Sequence, residues 1–112
     1  MKTFLKDAAI VSIFDFQKDE KKLLGRIIFG IVIKDETKRY LPEFRVITST
    51  IKSQKNFEFI TKSGNCYVIN DAPGQLDITF VEFVVMRHRL SSPSEILEMR
   101  QTLKLTDDRT IH

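Results

Sequence analysis

The chain has 112 residues, of which 42% are hydrophobic and 29% are charged, and its formal net charge is +3. This length suits a single globular domain over residues 1–112, and the composition excludes a chain that is disordered throughout. Opposite charges are interleaved, as in QKDEKK and KDETKR, which is typical of solvated turns rather than of the clustered basic patch of a nucleic-acid-binding domain.

Runs of apolar and β-branched residues predict a series of strands. The predicted strands cover residues 8–16, 24–34, 45–52 and 76–90, and polar turns are expected at 18–22, 35–39 and 53–56. The second strand is apolar on both faces, which indicates a central position in the sheet. Gly30 in its middle predicts a bend or bulge, because glycine weakens a flat strand.

Residues 57–70 are the clearest hairpin. A two-residue Gly64-Asn65 loop suits a type II′ turn, in which glycine supplies the positive φ of the first position. That register separates a face without charge, expected in the core, from a face with Lys62. The uncharged face consists of Phe57, Phe59, Thr61, Cys66 and Val68, and the opposite face of Glu58, Ile60, Lys62, Tyr67 and Ile69.

The predicted strand over residues 76–90 is far longer than the usual ~5–6 residues, so a break is expected near Glu82. After it, Ser92-Pro93-Ser94-Glu95 matches a capping box and predicts a helix with an apolar stripe of Ile96, Met99 and Leu103. Residues 106–112 are polar and are expected to fray. The predicted fold is mainly β (α+β): a bent antiparallel sheet or small β-barrel of about five to seven strands with one C-terminal helix.

No catalytic, cofactor or metal centre is evident in the sequence. The potential zinc ligands Cys66, His88 and His112 are too few for a structural zinc site. Four scattered glycines build no phosphate-binding loop. A lone cysteine cannot form an internal disulfide, and a buried, inert thiol is the expectation. We therefore expect a protein without cofactors and without enzymatic activity.

The location is expected to be cytoplasmic, without contact to a membrane. The longest uncharged apolar runs, residues 8–14 and 27–33, fall far short of the ~20 residues that span a bilayer. Asp7 interrupts the one stretch that could have served as a signal peptide.

Two titratable residues merit attention. Glu82 lies between apolar neighbours, which favours a structural ion pair over a catalytic role. His88 stands between Arg87 and Arg89, and it is interpreted as a half-exposed residue near a strand end. A small enzyme that uses Glu82 or His88 is the third of our hypotheses on function.

Single-stranded nucleic-acid binding is the second hypothesis. The hairpin region interleaves lysines with aromatic residues, and small barrels stack bases on aromatic side chains beside a basic groove. The residues concerned are Lys52, Lys55, Phe57, Phe59, Lys62 and Tyr67. In the predicted register the phenylalanines share the core face while Lys62 and Tyr67 share the other, which weakens such a platform.

The segment over residues 24–67 resembles a family of small bacterial proteins of uncharacterised function. The matching residues are Leu24-Gly25-Arg26, Arg39-Tyr40-Leu41-Pro42, Val46-Ile47-Thr48-Ser49 and Thr61-Lys62-Ser63-Gly64-Asn65-Cys66-Tyr67. The common pattern is a strand that ends in Thr-Ser, followed by a Thr-x-Ser-Gly-x-x-Tyr hairpin. This resemblance implies a bacterial or phage setting and no established activity.

The leading hypothesis is a non-enzymatic binding module of a bacterial or mobile-element accessory protein, which docks on a protein partner or on a second copy of itself. Exposed strand edges offer such a module a way to pair. Ser63-Gly64-Asn65 is interpreted as a turn, although its hydroxyl and that of Ser49 could instead face a ligand. The candidate binding surface is Ser49, Lys62, Ser63, Gly64, Asn65, Tyr67, Glu82, Arg87, His88 and Arg89.

Overall fold

The protein is a bent seven-stranded sheet with two helices, in a computed structural model that describes residues 1–17 and 19–110, with side chains as far as residue 103. The elements are β1 (Lys2–Gln17), β2 (Glu20–Asp35), β3 (Arg45–Ile47), β4 (Ile51–Lys55), β5 (Glu58–Thr61), β6 (Cys66–Ile69), β7 (Gly74–Thr79), α1 (Phe80–Arg89) and α2 (Pro93–Thr110). The predicted mainly β fold is confirmed.

A long antiparallel hairpin of β1 and β2 is the centre of the molecule. Each strand has 16 residues, longer than the predicted segments, and both carry apolar residues on both faces. On one face Ile10 and Ile28 pack in a core with Phe59 of β5. On the other face Val11 and Ile27 belong to a second core, which the helices cover. The predicted central position of β2 is therefore confirmed.

An irregularity does occur opposite Gly30, but the extra residues belong to β1. Lys6 pairs with Ile31 and Ala9 with Phe29, so residues 7 and 8 bulge out of the ladder across from Gly30. A Cβ atom at Gly30 would lie 2.8 Å from Cδ1 of Leu5. A side chain at Gly30 would therefore clash with the side chain of Leu5 unless the leucine shifted, which favours glycine here.

The other edge of β1 pairs with two parallel strands, one after the other. Residues Lys2 to Leu5 pair with β6, and residues Ala9 to Phe14 pair with β7, while residues 70–73 carry the chain past the bulge. The sheet is therefore mixed rather than antiparallel as predicted. Its strand order is β3-β2-β1-β6-β5-β4.

The sheet bends but does not close into a barrel. Its two edge strands, β3 and β4, are joined by the short connector of residues 48–50, and the predicted single strand over residues 45–52 is wrong because this connector divides it. Thr48 N donates to Ile28 O on one side (2.9 Å), and Thr50 O accepts from Lys62 N on the other (2.7 Å). The connector thus spans the gap that a barrel would have closed.

The predicted strand over residues 76–90 is wrong beyond residue 79, where the chain turns into α1. Thr79 caps this helix: its Oγ1 accepts from Glu82 N (3.1 Å), and Glu82 Oε1 accepts from Thr79 N (2.9 Å). This reciprocal capping box satisfies two N–H groups at the helix start. The expected break near Glu82 is therefore a change from strand to helix, and residues 1–17 and 19–110 contain two helices rather than one.

The capping box of α2 is confirmed. Glu95 Oε1 accepts from Ser92 N (2.9 Å), and Glu95 N donates to Ser92 Oγ (3.2 Å). Ile96 is buried and Met99 packs against the same core, but Leu103 is exposed, so the predicted stripe docks over its first half only. The helix continues to Thr110, and residues 111 and 112 of the tail that is expected to fray lie outside the described part of the chain.

Candidate functional site

The turn of the β5–β6 hairpin differs from the predicted one. Phe59 pairs with Tyr67, Thr61 N donates to Asn65 O (3.0 Å), and Gly64 N donates to Thr61 O (2.8 Å). Gly64 has a φ of 88°. The loop therefore has three residues, 62–64, with glycine in the left-handed position, and the predicted two-residue Gly64-Asn65 loop is wrong.

This change moves Tyr67 from the candidate surface into the core. A shift of three residues exchanges the two faces of one strand relative to the other, since side chains alternate with a period of two. Tyr67 now lies beside Phe59 in the buried core, while Phe57 is exposed. Burial raises the pKa of the Tyr67 hydroxyl, although Arg39 works in the opposite direction. Neither Phe59 nor Tyr67 is placed to stack on a base.

The hydroxyl groups at the hairpin turn bond to one another. Ser63 Oγ lies 3.0 Å from Ser49 Oγ and 3.1 Å from Thr61 Oγ1, and it accepts from Asn65 Nδ2 at 3.0 Å. Ser63 N donates to Ser49 Oγ at 3.2 Å. In the described part of the chain no histidine or carboxylate hydrogen-bonds to either serine. The network ties the turn to the connector of residues 48–50, which favours the structural interpretation of Ser63-Gly64-Asn65.

Glu82 forms an ion pair between the two helices. Arg100 of α2 donates from Nε to Glu82 Oε2 (2.5 Å) and from Nη2 to Oε1 (2.8 Å). These hydrogen bonds lower the pKa of Glu82, even though partial burial acts to raise it. Both carboxylate oxygens thus serve the fold.

The outer face of α1 is apolar and open to solvent. Phe80, Val81 and Val84 are 50%, 72% and 50% exposed, whereas Phe83 and Met86 pack against the core beneath the helix. We call Phe80, Val81 and Val84 the α1 patch. Their spacing of one and four residues places them together on one side of a helix. The sequence did not predict this patch, because the same residues also fit the pattern of a β-strand.

The three basic candidates of the last turn, Arg87, His88 and Arg89, are all exposed beside the α1 patch. None of them forms an ion pair with any residue that the structure describes. Neither Glu82 nor His88 lines either of the two clefts that have Gly25 and Thr50 in common. The candidate surface therefore divides between the hairpin turn and the end of α1.

Two clefts share Gly25 of β2 and Thr50 of the connector in their linings. The larger, of about 520 Å³, is lined by residues from β1, β2, β4, β5 and β7, and we call it the basic cleft. The smaller, of about 290 Å³, contains Ser49 and Arg87 of the candidate surface. The basic cleft is lined by Ile10, Leu23, Gly25, Arg26, Thr50, Ile51, Lys52, Ser53, Gln54, Phe59 and Gln75.

Sequence reasoning missed the basic cleft because its residues come from five separate strands. Arg26 and Lys52 are 26 positions apart by their numbers and meet only because the sheet bends. Lys52 is predicted from the sequence to belong to the lysines of the hairpin region, but no sequence pattern predicts that it shares a cleft with Arg26. The glutamines Gln54 and Gln75 likewise carry no motif.

Asp35 has the most strongly perturbed carboxylate, but its surroundings are structural. Desolvation acts to raise its pKa, yet hydrogen bonds from Thr37, Thr3 and the backbone of Tyr40 outweigh this and hold the pKa of Asp35 well below its usual range. All these donors belong to the turn after β2 or to β1 beside it. A perturbed carboxylate indicates a functional site when it lines a cleft, and Asp35 lines neither cleft.

Cys66 is a free thiol with partial exposure, and burial raises its pKa. A raised pKa leaves little of the reactive thiolate at neutral pH. Over residues 1–17 and 19–110, no three side chains of His, Cys, Asp or Glu come together as metal ligands. Nor does the described chain contain a helix that is long and apolar enough to cross a membrane.

No model of a known protein family, no curated protein and no solved structure matches this chain. The resemblance of residues 24–67 to small bacterial proteins therefore stays a prediction. Function has to be inferred from the surfaces themselves.

Proposed function

We propose that this protein is a non-enzymatic binding module that docks on a protein partner through the α1 patch. The observation that carries the proposal is the exposure of Phe80, Val81 and Val84 on a helix whose opposite side already packs against the core. The bacterial or phage setting that the resemblance implies fits a small accessory protein of this kind.

A helix on the surface of a monomer normally turns a polar face to water. Full burial of one such side chain yields about 1.5–3 kcal/mol. Phe80 and Val84 are already half-buried, whereas Val81 is mostly exposed. Burial of all three side chains under a partner would therefore contribute about a few kcal/mol to the free energy of binding. Contiguous exposed apolar groups of this kind mark interaction sites in soluble proteins.

The charges around the patch favour a partner other than a second copy. Arg87, His88 and Arg89 follow the patch on the same helix, and none has an acidic partner within the described residues. Two copies that met through this face would bring cations into each other's vicinity. The face instead fits an apolar groove with carboxylates at its rim, since complementary potentials guide specific association.

The proposal is tested with the tagged protein, a Val81→Glu variant, and a Leu41→Glu variant as the matched control. Leu41 is as exposed as Val81, at 73% against 72%, but lies outside the helices. We expect a partner that the wild type and Leu41→Glu both retain and Val81→Glu loses. With that partner purified, the affinity of Val81→Glu should fall at least tenfold.

The partner's own binding surface should be acidic, and circular dichroism should show that both variants fold. If light scattering shows a dimer that Val81→Glu abolishes, the partner is a second copy of the chain rather than another protein. A strict monomer that enriches no protein over Val81→Glu would refute the proposal.

A further inference from the structure

The basic cleft brings two cations together without any acid. Arg26 enters from β2 and Lys52 from β4, and no residue that lines the cleft is an aspartate or glutamate. Neither cation forms an ion pair in the described part of the chain, whereas Lys21, Arg45 and others do. Like charges in one cleft repel each other, and a bound anion would relieve this repulsion.

One acidic residue stands on β7 near the cleft, and it is already engaged. Asp77 follows Gln75 by two positions, so both point to the same side of the strand. Asp77 Oδ2 lies 3.5 Å from Lys21 Nζ. It therefore balances Lys21 rather than the cations of the cleft.

The remaining lining suits a ligand that is more than an inorganic anion. Leu23 and Ile51 offer partly exposed apolar surface in the cleft, and the core residues Ile10 and Phe59 lie beneath it. Gln54 and Gln75 offer amide groups that both donate and accept hydrogen bonds. The volume of about 520 Å³ lies within the ~300–1,000 Å³ of small-molecule sites.

We propose that the basic cleft binds a nucleotide, either free or as a unit of a single strand. Arg26 and Lys52 contact its phosphate, and Leu23 and Ile51 with the glutamine amides accommodate its base. Gly25 and Thr50 of the lining lie against each other, since a Cβ atom at Gly25 would lie 2.9 Å from Thr50 Cγ2. This site is separate from the α1 patch and takes a different class of ligand.

Binding is measured by calorimetry and fluorescence anisotropy at low salt, with adenosine and thymidine mononucleotides, short single-stranded DNA and RNA, and inorganic pyrophosphate as probes. The variants are Arg26→Gln and Lys52→Gln, and Lys34→Gln is the matched control, since Lys34 is an exposed cation of β2 without an ion pair in the described chain. Thermal unfolding shows that each variant is folded.

We expect nucleotide binding that weakens at least tenfold in Arg26→Gln and in Lys52→Gln, and that persists in Lys34→Gln. If the source is a single strand, oligonucleotides bind more tightly than mononucleotides. In that case each substitution lowers the slope of log affinity against log salt by about 0.7. If oligonucleotides and mononucleotides bind with equal affinity, the ligand is a free nucleotide.

Pyrophosphate that binds as tightly as any nucleotide would reduce the site to an anion site and overturn the proposal. So would the absence of binding by every probe at low salt, or binding that Arg26→Gln and Lys52→Gln leave unchanged. Val81→Glu should bind nucleotides as the wild type does. The proposal on the α1 patch and the proposal on the basic cleft can therefore be refuted independently of each other.

Discussion

Replacement of Asp35 by asparagine tests whether one carboxylate organises the turn after β2. Asp35 Oδ1 accepts hydrogen bonds from Thr3 Oγ1 (2.9 Å) and from Thr37 N (3.0 Å) and Oγ1 (2.6 Å). Asp35 Oδ2 accepts from Arg39 N (2.8 Å) and Tyr40 N (2.9 Å). Asparagine has the same shape, but its nitrogen cannot accept a hydrogen bond.

The expected loss follows from these bonds. If the amide oxygen stays at the position of Oδ1, the bonds from Arg39 N and Tyr40 N are lost. A hydrogen bond to a charged group contributes about 1.5–3 kcal/mol, and water replaces part of that in a turn that is partly exposed. We expect Asp35→Asn to lower the free energy of unfolding by about 2 kcal/mol, which corresponds to a melting temperature about 8 °C lower for a chain of this size.

The same difference should depend on pH. The folded pKa of Asp35 is depressed, so its contribution is complete above the unfolded value of about 3.9 and is lost as the pH falls through the folded pKa. Asparagine does not titrate. The gap in stability between the wild type and Asp35→Asn should therefore be constant near neutral pH and narrow as the pH falls below about 4.

Urea unfolding followed by circular dichroism over this pH range measures the gap. Asp71→Asn is the matched control, because Asp71 is an exposed carboxylate that makes no hydrogen bond in the described structure. It should behave as the wild type at every pH. An Asp35→Asn protein as stable as the control, or a gap that stays constant in acid, would refute the reasoning.

Three further predictions concern local packing and chemistry. Gly30→Ala should cost about 1–3 kcal/mol because of the contact with Leu5, and Leu5→Ala should recover part of that loss in a double-mutant cycle; additive losses would contradict the contact. Glu82→Gln should destabilise by about 1–2 kcal/mol in thermal unfolding through its cap and ion pair, and equal loss in Glu98→Gln would contradict this. Iodoacetamide should modify Cys66 more slowly in the folded than in the urea-unfolded protein, and equal rates would contradict the raised pKa.

Sequence patterns with a local cause were readable in advance. The capping box at Ser92 requires only neighbouring residues, so its chemistry is visible without the fold. The apolar character of β2 on both faces likewise predicted a central strand. Both predictions depend on interactions within a few positions of the chain.

The second capping box shows where such patterns become ambiguous. Thr79 and Glu82 have the same spacing as Ser92 and Glu95, but the residues that follow include Val81, Val84 and Val85, which favour strands. Packing of α1 on the core outweighs that local preference. The α1 patch was therefore not predicted, because its valines also favour a strand.

The hairpin and the basic cleft were beyond local reasoning for different reasons. Gly64 fits a two-residue or a three-residue loop, and the choice between them decides whether Tyr67 faces the core or solvent. Arg26 and Lys52 share a cleft only because the sheet bends until β2 approaches β4. Curvature of this kind depends on the whole sheet.

The parallel pairing of β6 and β7 with β1 also determines how the protein can fold. β1 and β2 are adjacent in the chain and can form a hairpin early. The other edge of β1 pairs only when distant segments arrive, because Lys2 pairs with Cys66 and Ala9 with Gly74. Contacts between such distant positions make folding slow. Until they form, one edge of β1 is bare along its whole length, with Ile10, Val11 and Ile13 in it. During synthesis that edge is open to pairing with another chain, and aggregation of the nascent protein should begin there.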